Sequence, residues 1–312
     1  MDRREFLKML ALSGAAFTIK QSKAMSLMTQ HFSGKEINEN YDLVAVLGGT
    51  PVEMFRKGIA EFGGMEKFVK KGYKVVVKPN IGWDKTPEYA ATTNPELVGE
   101  IIRQCFKAGA KEVTVFDHTC DDWRKCYASS GIEAAAKAAG AKVVPADLES
   151  YYESISLPRA KNLKSAKVHK VLLESDVWIN VPILKNHGGA KMTISMKNLM
   201  GIVWDRGFFH SHDLQQCIAD ICTMSKPAIL NVVDAYRIMK TNGPRGKSEA
   251  DVVLAKGLFM SQDIVAVDTA ATNFFNQVRA MPLESVGHLA KAQELKVGTT
   301  NLNQLKIKRI KM

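Results

Sequence analysis

The fold is decided between residues 75 and 118, where three segments read VVVKPN (75–80), TNPELVGEIIRQCFKAG (93–109) and VTVFDH (113–118). The first and third segments begin with short apolar runs rich in valine, which are typical of strands buried on both faces of a sheet. The middle segment predicts a helix, because a capping residue and a proline open it and a glycine closes it. Two strands joined by a helix and short connections predict a parallel βαβ unit.

The same alternation of strand and helix patterns continues on both sides of this unit. Further strands are predicted at residues 43–47, 142–144, 177–182, 229–233 and 258–260, and further helices at residues 51–69, 132–139, 192–203, 213–224 and 263–275. A polar stretch from Ser150 to Lys170 predicts a hairpin or an excursion from the sheet. We therefore expect an α/β domain over residues 41–312, after a polar leader over residues 25–40. Its sheet should be mainly parallel or mixed, with helices on both faces, in one body or in two lobes around a cleft.

The composition is that of a globular protein. Of the 312 residues, 46% are hydrophobic and 24% are charged, which excludes wholesale disorder and a collagen-like chain. Lysine and arginine together number 43 against 32 acidic residues, giving a net charge of +11, part of which lies in a basic tail from Lys306 to Lys311. Such a surface attracts anionic partners or simply keeps the protein in solution. No recognition helix, zinc finger or aromatic RNA-binding motif is present, so we expect no nucleic acid partner.

The first 24 residues have the pattern of an export signal. Arg3 and Arg4 are followed by an apolar run over residues 9–19 and by small residues before Ala24. Paired arginines in this position are similar to the twin-arginine signal, which is read by an export machinery that carries folded proteins. We expect a signal peptide over residues 1–24 and a periplasmic or otherwise exported protein; an amphipathic helix or an uncleaved anchor is the alternative. The apolar run is shorter than the about 20 residues that span a bilayer, so we expect no stable transmembrane span.

The cysteines form no metal-binding motif. They are Cys105, Cys120, Cys126, Cys217 and Cys222, and their spacings match neither zinc sites nor ferredoxins, so we expect no iron–sulfur cluster. Cys105 and Cys217 fall in apolar helical patterns and should be buried thiols. A disulfide between Cys120 and Cys126 stays open at this point, because spacing alone does not decide it.

Polar residues follow several of the predicted strands. In open α/β sheets, ligands collect at the carboxyl ends of the strands. Lys78 and Asn80 end one strand, while Asp117 and Asp234 each follow another. We therefore expect these side chains to line one rim of the sheet, together with Lys185, and to contact a substrate there.

The richest cluster is the sequence PILKNHGG (182–189), which MKNLMG (196–201) follows closely. Lys185 and Lys197 supply positive charge, glycines let backbone amides approach a ligand, and His187 can donate or accept a proton. We expect this cluster to bind a small anion. Lys185 and His187 are candidate catalytic residues, and Lys197 and Asn198 candidate substrate-binding residues.

A second cluster reads HSHD (210–213). On an extended segment His210 and His212 would point the same way, and with a carboxylate such as Asp117 or Asp234 they would form a metal site. A divalent metal is therefore left open, and the cofactor is unknown. Asp213 is explained equally well as the cap of the following helix. His210 alone is a third candidate for moving a proton.

Taken together, these blocks resemble the family named domain of unknown function 362. The resemblance spans residues 42–275 and lies in ordered blocks: Lys78–Asn80, Thr92–Pro95, Asp117, Val181–His187, Thr193–Gly201, His210, Asp234, Gly243–Gly246 and Asp268. It implies the fold and an exported location more than a reaction. Several relatives resemble twin-arginine substrates or are fused to ferredoxin-type modules, but this chain has no such cysteine cluster.

From these residues we expect an enzyme that acts on a small anionic or carbonyl-bearing substrate in a cleft lined by Lys, His and Asn. Lysines would hold negative charge, His187 or His210 would move a proton, and Asn198 and Asp234 would orient the substrate. A neighbouring ammonium would also lower the pKa of a histidine and leave a neutral base near pH 7. The alternatives are a non-catalytic periplasmic ligand-binding or redox-accessory protein, and a packed interior in which these polar groups satisfy one another.

Overall fold

The central sheet contains strands of both directions. In the computed structural model, which describes residues 40–312, the strands are β1 Leu43–Leu47, β2 Lys74–Pro79, β3 Glu112–Val115, β4 Lys142–Val143, β5 Tyr152–Ser156, β6 Ser165–His169, β7 Val177–Val181, β8 Ile183–His187, β9 Lys191–Thr193, β10 Leu230–Met239, β11 Val252–Ser261 and β12 Ile307–Lys311. The main sheet has the order β12-β1-β11-β10-β7-β2-β3-β4, and β8 and β9 extend it beside β10. Neighbours are parallel from β10 to β4, whereas β11 runs antiparallel to β1 and β10. The mainly parallel α/β fold is therefore confirmed, and the predicted signal peptide lies outside the described residues.

Helices lie between these strands. They are α1 Pro51–Glu61, α2 Pro95–Lys107, α3 Trp123–Ser129, α4 Ile132–Ala138, α5 Lys170–Glu174, α6 Ser195–Asn198, α7 Gly207–Ser211, α8 Leu214–Ile221, α9 Ile264–Val278 and α10 Gly287–Glu294. The predicted start of α2 is confirmed, because the Asn94 side chain accepts hydrogen bonds from the backbone N–H groups of Glu96 and Leu97. Helix α1 ends earlier than predicted, since Gly63 and Gly64 adopt the left-handed conformation that stops a helix. Within residues 40–312, no helix has the length and apolarity to cross a membrane.

Helices cover both faces of the sheet. Along β2, Val76 packs into one hydrophobic core with Phe275 of α9, whereas Val75 and Val77 pack into a second core with Ile101 of α2. Side chains alternate between the faces of a strand, so one apolar run supplies both cores. Residues 40–312 form one compact unit, which favours one body over two lobes.

The structure differs from the predictions in two places near the sheet edges. Residues 184–189 were expected as the carboxyl end of a strand, before a helix over residues 192–203, but β8 and β9 form an antiparallel hairpin there, and only Ser195–Asn198 is α-helical before a 3₁₀ turn. The basic tail is strand β12, which pairs in parallel with β1 at the edge of the sheet. The predicted hairpin between residues 150 and 170 is confirmed as β5 and β6.

Candidate functional site

A cavity of about 400 Å³ opens beyond the carboxyl ends of β2 and β3, and strand β8 and helices α6 and α7 complete its wall. Its polar lining residues are Lys78, Asn80, Asp117, His118, Cys120, Lys185, His187, Thr193, Lys197, Asn198, Arg206 and His210. Every predicted site residue except Asp234 lies in this lining. The cavity therefore lies where the carboxyl ends of the parallel strands meet at one edge of the sheet, as expected from the sequence.

The deepest charges of the cavity form a buried ion pair. The Nζ atom of Lys78 lies 2.8 Å from Oδ1 of Asp117, and both side chains are almost completely buried. Burial lowers the pKa of Lys78, and the Asp117 charge opposes that effect. The other carboxylate oxygen of Asp117 accepts a hydrogen bond from the backbone N–H of Ile81 at 2.6 Å. Gly201 lets the backbone approach this pair, because a Cβ atom there would lie 1.9 Å from Asp117 Oδ1.

A chain of asparagines holds Asn198 beside the ion pair. The Asn198 Oδ1 atom accepts hydrogen bonds from Lys78 Nζ at 2.8 Å and from Asn80 Nδ2 at 3.0 Å. Its Nδ2 group donates to Asn180, and Asn180 in turn donates to Asn231. Sequence reasoning missed Asn180 and Asn231, although an asparagine inside an apolar strand is itself a signal, since a buried amide needs partners.

Asp268 fixes the short helix α6 that carries Lys197 and Asn198. Its two carboxylate oxygens accept hydrogen bonds from the backbone N–H groups of Ser195 and Met196, at 2.8 and 2.9 Å. These are the first donors of α6, which have no partner inside the helix. The carboxylate thus caps a different helix from its own. Burial raises the pKa of Asp268 to about 7, and these hydrogen bonds oppose that rise.

Two lysines in the cavity have no carboxylate partner within residues 40–312. Lys185 donates hydrogen bonds to the backbone carbonyl of Ala91 and to Asn80 Oδ1. Burial lowers the pKa of Lys185 to about 7, with a further contribution from the positive charge of Lys197. Burial also lowers the pKa of Lys197 to about 8, and Arg206 adds to the effect. Both amines are therefore far easier to deprotonate than an exposed lysine.

Burial lowers the pKa of each histidine that lines the cavity. Burial lowers the pKa of His187 well below its ordinary range, and the charges of Lys197 and Lys185 lower it further. The predicted direction is thus found, but burial rather than a neighbouring ammonium is the larger cause. The Nδ1 atom of His187 accepts a hydrogen bond from the backbone N–H of Ala190 at 3.2 Å, which leaves the ring proton on Nε2.

His210 and His212 do not form the pair that an extended segment would have allowed, because His210 lies in a helix. His210 lies in helix α7 and lines the cavity, whereas the ring of His212 stacks on Phe208 with centroids 3.8 Å apart. His212 follows the last residue of this helix and packs on Phe208, so the two rings do not converge. In the part of the chain that the structure describes, no group of three or more metal-ligating side chains is assembled. Asp213 caps the next helix, as the alternative held.

Asp234 lies outside the cavity. Strand β10 continues past it to Met239, so Asp234 sits within the sheet opposite Ile183 rather than at a strand end. Its carboxylate accepts hydrogen bonds from the backbone N–H groups of Asn94 and Tyr236, and burial raises its pKa to about 6. Asp234 therefore anchors the start of helix α2 and cannot orient a substrate as expected.

Arg206 is a cavity residue that sequence reasoning missed. Its guanidinium donates to the backbone carbonyls of His118 and Thr119 at 2.9 and 2.7 Å, and to the Cys120 sulfur at 3.4 Å. The side chain thereby adds a fourth cation to the wall of the cavity. Cys120 is exposed and Cys126 is a buried free thiol, so the disulfide left open between them is not formed.

The chain is similar to proteins of known sequence and structure. It is 25% identical to the thylakoid-associated protein sll1697 of Synechocystis sp. over 232 residues. The aligned part covers 72% of this chain and 70% of that protein. Its fold is similar to the lactate racemase apoprotein from Thermoanaerobacterium thermosaccharolyticum, with a TM-score of 0.44, 14% identity, and coverage of 70% of this chain and 54% of that one. A protein from Thermotoga maritima has a TM-score of 0.41 and 11% identity, over 80% of this chain and 60% of its own. This chain thus spans little more than half of the two solved chains.

The family model covers the cavity and most of the sheet. It matches residues 75–273, from strand β2 to within helix α9, and strands β1 and β12 lie outside it. All of the polar lining residues of the cavity fall within this range. The chain belongs to the family described as Domain of unknown function (DUF362), as its sequence blocks indicated.

Proposed function

We propose that this protein is an exported enzyme that acts on a small anionic substrate bound in the cavity. The observation that carries the proposal is the excess of positive charge. Four cationic side chains line the cavity, and Asp117 is the only carboxylate among its described lining residues. Like charges in a poorly solvated space repel one another, and an anion that enters relieves the repulsion.

The roles of the residues follow from their surroundings. Lys185, Lys197 and Arg206 are the cavity cations without an acidic partner among the described residues, so they are the groups that gain most from an anion. His187 is neutral, and because its Nδ1 atom accepts from Ala190, its Nε2–H group can donate a hydrogen bond to the substrate. Asn198 is held by its hydrogen bonds in one orientation and in turn positions Lys78 and Asn80 at the cavity. A cavity of about 400 Å³ suits a small metabolite.

Export is proposed from the sequence alone. The arginine pair Arg3 and Arg4, the short apolar run and the small residues before Ala24 support delivery by the twin-arginine route. An anion-binding enzyme of this kind would then meet its substrate outside the cytoplasm.

Thermal unfolding with added anions tests the proposal. A ligand that binds only the native state at a hundred times its Kd stabilises by about 2.7 kcal/mol, which raises the Tm of a domain of this size by roughly 5–11 °C. We expect sulfate, phosphate or pyruvate to raise the Tm of the wild type. Lys185→Met should reduce the shift, and Lys306→Met, at an exposed residue just before strand β12, should not. Equal loss in both variants would mean a general surface effect, and no shift with any anion would refute the proposal.

A further inference from the structure

We infer that Lys197 is a covalent catalytic residue, whose amine forms an imine with the carbonyl carbon of a 2-oxo acid held in the cavity. This inference rests on the proposed function and names the substrate class and the reacting atom of the same site.

Lys197 is the available amine of the cavity. Three lysines line it: Lys78 is paired with Asp117, and Lys185 donates to two oxygen acceptors. For Lys197, residues 40–312 supply neither a hydrogen-bond acceptor nor an ion-pair partner, although the side chain is partly buried. Its position is nevertheless fixed, because Asp268 caps the helix that carries it. An unpartnered amine on a fixed element is free to react with a ligand.

The surroundings keep this amine nucleophilic. A lysine becomes a nucleophile when burial or a neighbouring cation removes its proton. A pKa of about 8 gives Lys197 roughly 300-fold more neutral amine near pH 7 than an ordinary lysine has. Arg206 and Lys78 favour the neutral form, and Cys120 and Asp117 oppose it. The other titratable groups within electrostatic range of Lys197 are Lys185, His187, His210 and His288.

The reaction needs no oxidant or reductant. The Nζ lone pair of Lys197 attacks the carbonyl carbon, and a proton moves from the nitrogen to the former carbonyl oxygen to give a neutral carbinolamine. The C–O bond then breaks, water leaves with a second proton, and a C=N⁺ bond forms. His210 lines the cavity within range of the Lys197 charge and is suited to move these protons, while the Nε2–H group of His187 can donate a hydrogen bond to the oxygen.

The substrate class follows from the charges beside the amine. A carboxylate next to the carbonyl group would lie among the cations Lys185 and Arg206, which have no carboxylate partner in the described cavity. The imine withdraws electrons from the carbon beyond it, so a proton on that carbon becomes acidic. A neutral histidine can remove this proton and return it.

Borohydride trapping tests the inference on the full chain. Pyruvate is added, sodium borohydride reduces any imine to a stable secondary amine, and mass spectrometry of the intact protein and its peptides locates it. We expect one reduced pyruvate per chain, on Lys197, with trapping half-maximal near pH 8. Lys197→Arg keeps the charge but cannot form the imine, so it should lose the adduct and retain the sulfate-dependent rise in Tm. Lys306→Arg should form the wild-type adduct.

The outcomes separate the inference from the function on which it rests. An adduct on Lys185, or one spread over surface lysines, would overturn the assignment to Lys197. A rise in Tm with pyruvate but no adduct would overturn the imine and leave the anion cavity intact. Neither an adduct nor a shift with any anion would refute both. Peptide mapping of the wild type decides the matter even when a variant fails to fold.

Discussion

The buried ion pair between Lys78 and Asp117 makes a quantitative prediction about stability. Asp117→Asn keeps the shape of the side chain but removes its charge, so the Lys78 ammonium, 2.8 Å away, loses its counter-ion inside the protein. Removing one partner of a buried pair costs about 3–5 kcal/mol in the free energy of unfolding. For a domain of this size each kcal/mol lowers the Tm by roughly 2–4 °C. We therefore expect Asp117→Asn to lower the Tm by roughly 6–20 °C.

Urea and thermal unfolding, followed by circular dichroism, measure this loss. The matched control is Glu133→Gln, which breaks an exposed pair with Lys137 at 2.6 Å. Exposed pairs contribute about 0–1 kcal/mol, so this variant should unfold close to the wild type. Adding Lys78→Met to Asp117→Asn removes the uncompensated charge and should restore part of the stability. An Asp117→Asn protein within about 1 kcal/mol of the wild type would refute this reasoning.

Three further predictions follow from the same structure. Gly201→Ala should lower the free energy of unfolding by about 1–3 kcal/mol, because its Cβ atom would lie 1.9 Å from Asp117 Oδ1. The control Gly188→Ala meets no atom within 4 Å and should leave the stability unchanged, so equal urea midpoints for the two variants would contradict this prediction. Sulfate affinity, measured by calorimetry, should fall as the pH rises from about 7 through about 8, because Lys185 and Lys197 lose their protons in that range. An affinity that stays constant to high pH would exclude these two lysines as the binding cations. Replacing Arg3 and Arg4 with lysine should leave the precursor in the cytoplasm, and unchanged delivery in a fractionation experiment would argue against the twin-arginine route.

The sequence by itself determined the sheet and the place of the cavity. Short apolar runs and helix caps are local signals, and a parallel βαβ connection brings the carboxyl ends of successive strands to one edge. Lys78, Asn80 and Asp117 each follow such a run, so their convergence needed no knowledge of the tertiary structure. The same reasoning placed Lys185 and His187 at the correct edge, although their segment is a separate strand, β8, rather than the carboxyl end of β7.

Only the tertiary structure decided which polar groups contact one another. Asp234 resembled the other strand-end residues in sequence, yet β10 continues past it and its carboxylate binds the backbone of Asn94, 140 positions away. Arg206 joins the cavity because backbone carbonyls about 88 positions earlier accept its hydrogen bonds. These contacts form because segments distant in sequence pack against one another. The resulting burial then lowers the pKa of Lys185 and of Lys197. A local sequence pattern predicts neither these long-range hydrogen bonds nor the burial of the two lysines, because both depend on how distant segments pack. The charges and proton affinities of the cavity are therefore decided by the tertiary structure.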